Sequence, residues 1–185
     1  QADPNLTPTA VKALLLQHTW ALAGGDPAAG GLGYLRIKEA AEAALAGDWR
    51  TGQIAKDGSV KYLVNLTAGQ PARYTLVWER IIGLPGSYES TGDFDFDLGV
   101  FDPSGVLVAS SATDFDVEEQ VTFTPSTSGT YAVVIREPAP LASSVVRTYS
   151  LAGPGLGCGS TGLAVHSLAG PGLGCGSTGL PRRTR

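Results

Sequence analysis

The sequence predicts a mainly β protein, an antiparallel β-sandwich preceded by two α-helices. In the first 47 residues, apolar side chains recur at helical spacing, whereas from Thr51 they alternate with polar ones at period two. Clusters of Gly, Pro, Asp and Ser separate the alternating runs, as is typical of turns. No helical pattern lies between these runs, which argues against a parallel sheet.

The first helix is predicted in "PNLTPTAVKALLLQHT". Thr7 is a suitable N-cap, and Pro8 suits the first helical position because its missing N–H costs no hydrogen bond there. The helix is expected to run to about Thr19. Its recurring apolar positions are Val11, Leu14, Leu15 and Leu16.

The second helix is predicted in "IKEAAEAALAG" after a loop, ending before Gly47, which favours a helix stop. Its predicted apolar stripe consists of Ile37, Ala40, Ala41, Ala44 and Leu45. Two helices alone do not bury their stripes satisfactorily, so we expect their packing partner to lie outside this chain and their amides to exchange fast.

The alternating runs predict seven or eight strands. Their inward faces are predicted to carry three sets of residues: Val60, Tyr62, Val64 and Leu66; Tyr74, Leu76 and Trp78; and Phe94, Phe96, Leu98 and Val100. Turn signals include Asp57-Gly58 and the segment Asp102-Pro103-Ser104-Gly105.

Composition excludes some classes of partner. The net charge is −4, although three of the thirteen basic residues are the C-terminal arginines. An acidic body is a poor partner for nucleic acid, and no apolar run reaches the ~18 residues that a membrane helix needs. We therefore expect no nucleic-acid partner, no membrane span and a monomer.

Residues 4–45 resemble the C-terminal end of a subtilisin-like serine protease catalytic domain. Nine positions and the Ala-rich helix fall in register with the pattern that follows the nucleophile in that family, and Trp20 departs from it because the family has a small residue there. The matching positions before the Ala-rich helix are Pro4, Leu6, Thr7, Val11, Lys12, Leu15, Thr19, Gly31 and Gly33. The resemblance implies that the two helices remain from a truncated α/β domain whose catalytic Asp, His and Ser lie upstream.

Residues 53–151 resemble the bacterial pre-peptidase C-terminal domain, a jelly-roll-like sandwich appended to secreted peptidases. The shared features are the "DFDFD" strand, the "DPSG" turn and "PSTSGTY" before a Val-rich strand. Together the two resemblances imply the C-terminal part of a secreted serine endopeptidase that acts on a protein or peptide substrate. The sandwich would assist substrate engagement, secretion or stability, and this chain alone is expected to be inactive.

The predicted organisation has four parts. Residues 1–47 end the catalytic domain, 48–52 form a linker, 53–151 form the sandwich, and 152–185 form a Gly-rich tail. The tail contains SLAGPGLGCGSTGL twice, at 150–163 and 167–180, and each copy carries one cysteine, Cys158 or Cys175. We expect this tail to be disordered, because Gly-rich chain is costly to order.

A calcium site is one hypothesis. Asp93, Asp95 and Asp97 share a strand face because they alternate at period two, and Asp114 and Asp116 lie in a later loop. Carboxylate oxygens are ligands that Ca²⁺ prefers. The alternative is a solvated outer face without a metal.

A non-catalytic module that binds an extracellular protein or polysaccharide polymer is the alternative function. Its candidate aromatic residues are Trp49, Trp78 and Tyr88. Alternation places Trp78 in the core, and Trp49 is expected to pack between the helical segment and the sandwich.

Overall fold

A computed structural model describes most of the chain before the tail. The described residues are 4–20, 33–54, 58–79, 95–113, 116–137, 146–157 and 162–165. Two helices, α1 (Pro8–Gln17) and α2 (Ile37–Ala46), accompany a short ladder of β1 (Thr19–Trp20) and β2 (Tyr34–Leu35). The remaining strands are β3 (Trp49–Ile54), β4 (Ser59–Leu66), β5 (Ala72–Trp78), β6 (Asp97–Phe101), β7 (Leu107–Ser111), β8 (Glu118–Phe123), β9 (Gly129–Arg136), β10 (Arg147–Ala152) and β11 (Gly162–Val165).

The larger strands form two antiparallel sheets, as the sequence predicts for a β-sandwich. The first sheet has the order β3-β10-β5-β8, and the second has the order β11-β4-β9-β6-β7. Strands that follow one another in sequence therefore often lie in opposite sheets. The strand β10 lies in the interior of the first sheet, where it pairs with both β3 and β5.

The inner faces of the two sheets form the main hydrophobic core. The described inward residues that alternation predicts are all buried, which confirms the predicted faces of β4, β5 and β6. Phe94 lies outside the described residues. At the centre, the hydroxyls of Tyr62 and Tyr149 share a hydrogen bond of 2.7 Å, and burial raises the pKa of both. This bond connects the two sheets.

The outer face of the first sheet is covered by α1. Thr75 and Val77 of β5 are buried although they point away from the core, because Ala13 and Leu14 of the helix pack on this side. Ala43 and Ala44 of α2 and Ala152 of β10 complete the cluster, which Leu6, Leu16 and Trp49 border. We call these two helices the helical layer.

Hydroxyl groups fix the beginning of α1. The Thr7 hydroxyl caps the helix by accepting from the N–H of Ala10 at 3.2 Å, which confirms the predicted N-cap. The Ser150 hydroxyl on β10 lies 2.8 Å from that of Thr9 and 3.0 Å from that of Thr51. These bonds satisfy polar groups that burial would otherwise penalise.

A second polar cluster fixes the end of α1. The Gln17 amide donates to the carbonyl of Arg73 at 2.7 Å and accepts from the Thr75 hydroxyl at 2.8 Å. Gln120 of β8 donates to the same Thr75 hydroxyl and to the carbonyl of Leu16. Both ends of the helix are therefore hydrogen-bonded to the sheet.

Two details of the helices differ from the sequence-based expectations, and one agrees with them. The helix α1 ends at Gln17 and Thr19 belongs to β1, whereas the prediction extended the helix to about Thr19. The helix α2 ends before Gly47 as predicted, and this glycine has a left-handed φ of 74°. The stripe of α2 was predicted too widely, because Ile37 and Leu45 are 67% and 70% exposed and its buried residues are alanines.

The expectation that the helices lack a partner within the chain is wrong. Their buried faces contact β5 and β10, so the helical layer packs directly on the sandwich. Residues 49–52, which the sequence analysis assigned to a linker, lie within β3. Most of the Gly-rich tail lies outside the described residues, except 152–157, where Leu156 is buried, and β11, which pairs with β4.

Removing the side chain of a helix residue that contacts the sheet tests this packing. The Leu14→Ala variant should lose about 2–5 kcal/mol of unfolding free energy, because a side chain 3% exposed is deleted from a packed cluster. The matched control is Leu45→Ala on α2, which should change stability by less than about 0.5 kcal/mol. Urea unfolding measures both, and equal effects would contradict the described packing.

Candidate functional site

The predicted carboxylates are only partly within the described residues, since Asp93 and Asp114 lie outside them. Asp97 points away from the core, and its carboxylate lies 4.0 Å from the guanidinium of Arg136 on the paired strand β9. Asp95 precedes β6 on the same face, and Asp116 is exposed ahead of β8. Nearby positive charge from Arg136 thus offsets part of the repulsion between the negative charges of Asp95 and Asp97.

Within the described part of the chain, no three His, Cys, Asp or Glu side chains are grouped closely enough to hold a metal ion. Asp95, Asp97 and Asp116 therefore do not supply a complete calcium cage. A calcium ion at these side chains would need further oxygen ligands, so calcium remains a proposal.

Glu119 is a buried carboxylate that sequence reasoning did not single out. It is 2% exposed and accepts from the backbone N–H and the hydroxyl of Thr113 at 2.7 and 2.6 Å. The Ser111 hydroxyl of β7 also donates to it. Since β7 and β8 belong to different sheets, this carboxylate joins the two sheets along one side of the sandwich.

The aromatic residues singled out from the sequence divide as follows. Trp78 is 2% exposed, and its ring makes an edge contact with Phe96, which confirms its place in the core. Trp49 is half-buried and packs against the helical cluster on the first sheet, as expected. Tyr88 lies outside the described residues.

An exposed aromatic surface is present elsewhere, at the ladder of β1 and β2. Trp20 and Tyr34 are directly paired across the ladder and are 67% and 71% exposed. The Arg36 guanidinium lies 5.3 Å from the centre of the Trp20 ring, at cation–π distance. We call Trp20, Tyr34 and Arg36 the aromatic platform.

The aromatic platform is attached to the sandwich by hydrogen bonds on its inner side. Arg73 of β5 donates to the carbonyls of Gln17 and Thr19, immediately before Trp20. The backbone N–H of Arg36 donates to the carbonyl of His18 at 2.8 Å. Because the ladder is bonded to a strand of the sheet, its exposed rings lie on a supported surface.

Charged groups around the platform balance one another. Arg36 forms an ion pair with Glu39, and Lys38 approaches Glu42 at 3.7 Å. Burial lowers the pKa of His18 below its ordinary 6.5, although Glu39 opposes the shift. The lowered pKa favours the neutral form of His18, which reduces the positive charge beside the platform.

The chemistry of the aromatic platform suits binding. Trp, Tyr and Arg are enriched among the residues that dominate binding energy, because they combine large apolar area with a polar group. The exposed rings of the paired residues Trp20 and Tyr34 offer stacking area to an extended ligand. Trp20 was noted in the sequence only as a departure from a family pattern, and alternation does not predict its pairing with Tyr34, which lies fourteen positions further along the chain.

Comparison with family models and with curated proteins gives no match. Among solved structures, the chain is similar to a Yersinia pseudotuberculosis-derived mitogen, with 19% identity, a TM-score of 0.40 and coverage of 57% of this chain and 81% of that one. It is also similar to Aeromonas hydrophila PliG, a periplasmic inhibitor of g-type lysozyme, with 16% identity, a TM-score of 0.36 and coverage of 57% of this chain and 82% of that one. A third similar structure is the Clostridium perfringens CspB protease, with 12% identity, a TM-score of 0.36 and coverage of 60% of this chain and 26% of that one. TM-scores of 0.40 and below carry no argument about family or function.

In the described chain, neither helix has the length and apolar character required to cross a lipid bilayer.

Proposed function

We propose that this chain is the non-catalytic C-terminal part of a secreted subtilisin-like serine endopeptidase. The observation that carries the proposal is the order of two sequence patterns, a protease-like pair of helices followed directly by a pre-peptidase-like sandwich. The Asp, His and Ser of the triad would come from another part of the parent protein. The sandwich would be an accessory module that supports substrate engagement, secretion or stability.

The strand order supports the second pattern. The two sheets β3-β10-β5-β8 and β4-β9-β6-β7 have the order of a jelly roll, with β11 added at one edge. The "DPSG" segment forms the turn between β6 and β7, where the Asp102 carboxylate accepts from the N–H groups of Ser104 and Val106. These are the architecture and the turn that the resemblance implies.

The "PSTSGTY" segment also has a structural role. The buried Tyr131 ring lies in the core, and its hydroxyl donates to the carbonyl of Thr127 at 2.9 Å. This bond ties the start of β9 to the preceding turn, as a tyrosine corner does in other sandwiches. The shared Tyr is thus explained by folding, and it supports a sandwich of this kind without implying catalysis.

The coding sequence upstream of Gln1 tests the protease proposal. We expect a Gly-Thr-Ser motif shortly before this residue and a catalytic Asp and His further upstream. Because acyl transfer needs these groups and an oxyanion hole, the purified 185-residue chain should not cleave peptides. An upstream region without the motif would contradict the proposal, as would cleavage by this chain that a serine-directed inhibitor blocks.

A second candidate function is a binding module for an extracellular polymer, and the aromatic platform favours it. Trp20 and Tyr34 are adjacent and exposed, and contiguous exposed apolar surface marks interaction sites more often than scattered residues do. This function is compatible with the first, since an accessory module that holds an insoluble substrate would assist a protease.

Pull-down with insoluble protein and polysaccharide polymers tests the platform. The intact chain should be retained by one of them, and Trp20→Ala together with Tyr34→Ala should reduce retention at least tenfold, since a stacked ring contributes on the order of 1 kcal/mol or more. The matched control is Leu107→Ala, because Leu107 is an exposed apolar residue on β7 in the second sheet. Equal retention of all variants would exclude the platform from binding.

We also propose that Ca²⁺ binds at the carboxylates of β6 and the loop before β8. If Asp95 and Asp97 are ligands, millimolar Ca²⁺ should raise the melting temperature, because the ion binds the folded state only. Asp95→Asn and Asp97→Asn should remove this shift, whereas Glu42→Gln on the exposed side of α2 should leave it unchanged. A melting curve unaffected by Ca²⁺ and EDTA would leave the carboxylates as a solvated face.

A further inference from the structure

The duplicated segment has a defined structural role in its first copy. Residues 150–157 (SLAGPGLG) include the second half of β10 and the turn after it, and 167–174 repeat the same eight residues. The strand β10 occupies the position between β3 and β5, which we call the central slot. The fold offers one central slot in the described sheet, while the chain carries two copies of its occupant.

Each residue at the start of the first copy contacts a different part of the fold. Ser150 bonds to the hydroxyls of Thr9 and Thr51 on the outer face. Leu151 is fully buried in the core between the sheets, and Ala152 belongs to the cluster under the helical layer. The central slot therefore selects for the sequence Ser-Leu-Ala.

The turn after β10 is equally specific. A side chain at Gly153 would lie 2.2 Å from the ring of Tyr74, so a larger residue does not fit. The Tyr74 hydroxyl donates to the carbonyl of Pro154 at 2.9 Å, and Leu156 is fully buried. Gly155 has a φ of 77°, which glycine adopts without strain.

All of these requirements are met by the second copy. Ser167, Leu168 and Ala169 correspond to the three strand residues, and the Gly-Pro-Gly-Leu-Gly that follows is unchanged. The strand residues just upstream differ, since Ala164, Val165 and His166 stand at the positions of Arg147, Thr148 and Tyr149. The contacts made from residue 150 onward do not distinguish the copies.

We propose that the second copy can occupy the central slot of its own chain, in a register shifted by seventeen residues. The connection after β9 would then run from 138 to 163. Closing this longer loop costs little more, because the entropic cost of loop closure grows only with the logarithm of loop length. The pairing of β11 with β4 is given up in this register, because Ala164 and Val165 enter the slot.

The first copy is the ground state because of Tyr149. Its ring lies at 6.2 Å from that of Phe96, and its hydroxyl bonds to that of Tyr62 in the core. His166 would bury a smaller and more polar ring at this position, which is unfavourable in an apolar core. The chain therefore contains a two-register element, and Tyr149 biases it toward the first register.

A set of matched substitutions tests this proposal. Circular dichroism monitors the thermal unfolding of the full chain for each variant. Leu168→Asp alone should leave the melting curve of the wild type unchanged. Leu151→Asp puts a carboxylate in the core when the first copy occupies the central slot, so this variant should fold with the second copy in the slot. It should then melt cooperatively, at a lower temperature than the wild type. The double variant Leu151→Asp/Leu168→Asp should show no cooperative transition.

A further substitution strengthens the test if the shifted register is weak. His166→Tyr should raise the melting temperature of the Leu151→Asp chain and should have no effect when Leu168→Asp is also present. The proposal is overturned if Leu151→Asp behaves like the double variant and His166→Tyr does not improve it. A melting temperature of Leu151→Asp that rises with protein concentration would also overturn it, because the second copy would then act between chains.

Discussion

The packing of α1 on the outer face of the first sheet is the contact on which the rest of the structure depends. A sheet of a β-sandwich normally exposes one face to water, yet the interior strand β5 is buried on both faces here. The helix presents Ala13 and Leu14 to Val77 and Ala152, so small and medium side chains meet at close range. This apolar burial contributes to folding stability outside the main core, and it makes the helical segment a third layer.

The polar groups around this contact determine its orientation. Ser150 and Thr9 at one end, and Gln17 and Thr75 at the other, are bonded across the interface at 2.8 Å. Burying these groups without partners would be costly, so only one placement of the helix satisfies all of them. The placement also fixes the strand that follows α1, and with it the aromatic platform. The same interface thus connects the fold to the candidate binding surface.

The sequence predicted features that depend on local chemistry. The cap at Thr7, the stop at Gly47 and the alternation in β4 and β6 were all correct, because each follows from neighbouring residues. Long-range pairing was not predictable in this way. The polar residues Arg73 and Thr75 made β5 look exposed on one face, although both bond to α1 or to the chain just after it.

Hydrophobicity alone also misplaced the contact face of α2. Ile37 and Leu45 are its most apolar residues and remain exposed, whereas Ala43 and Ala44 are buried because the layers approach closely there. Likewise, Trp20 and Tyr34 form one surface only because β1 pairs with β2. The predicted calcium ligands lie partly outside the described residues, so the sequence pattern remains their main support.

The central claim is that the helical layer is an integral part of the sandwich, and native-state hydrogen exchange measures this most directly. Amides of α1 after its first turn should be protected to nearly the same free energy as those of the interior strand β9, since the helix unfolds only when its sheet does. Fast exchange throughout α1, with β9 still fully protected, would show that the helix detaches independently and would contradict this account.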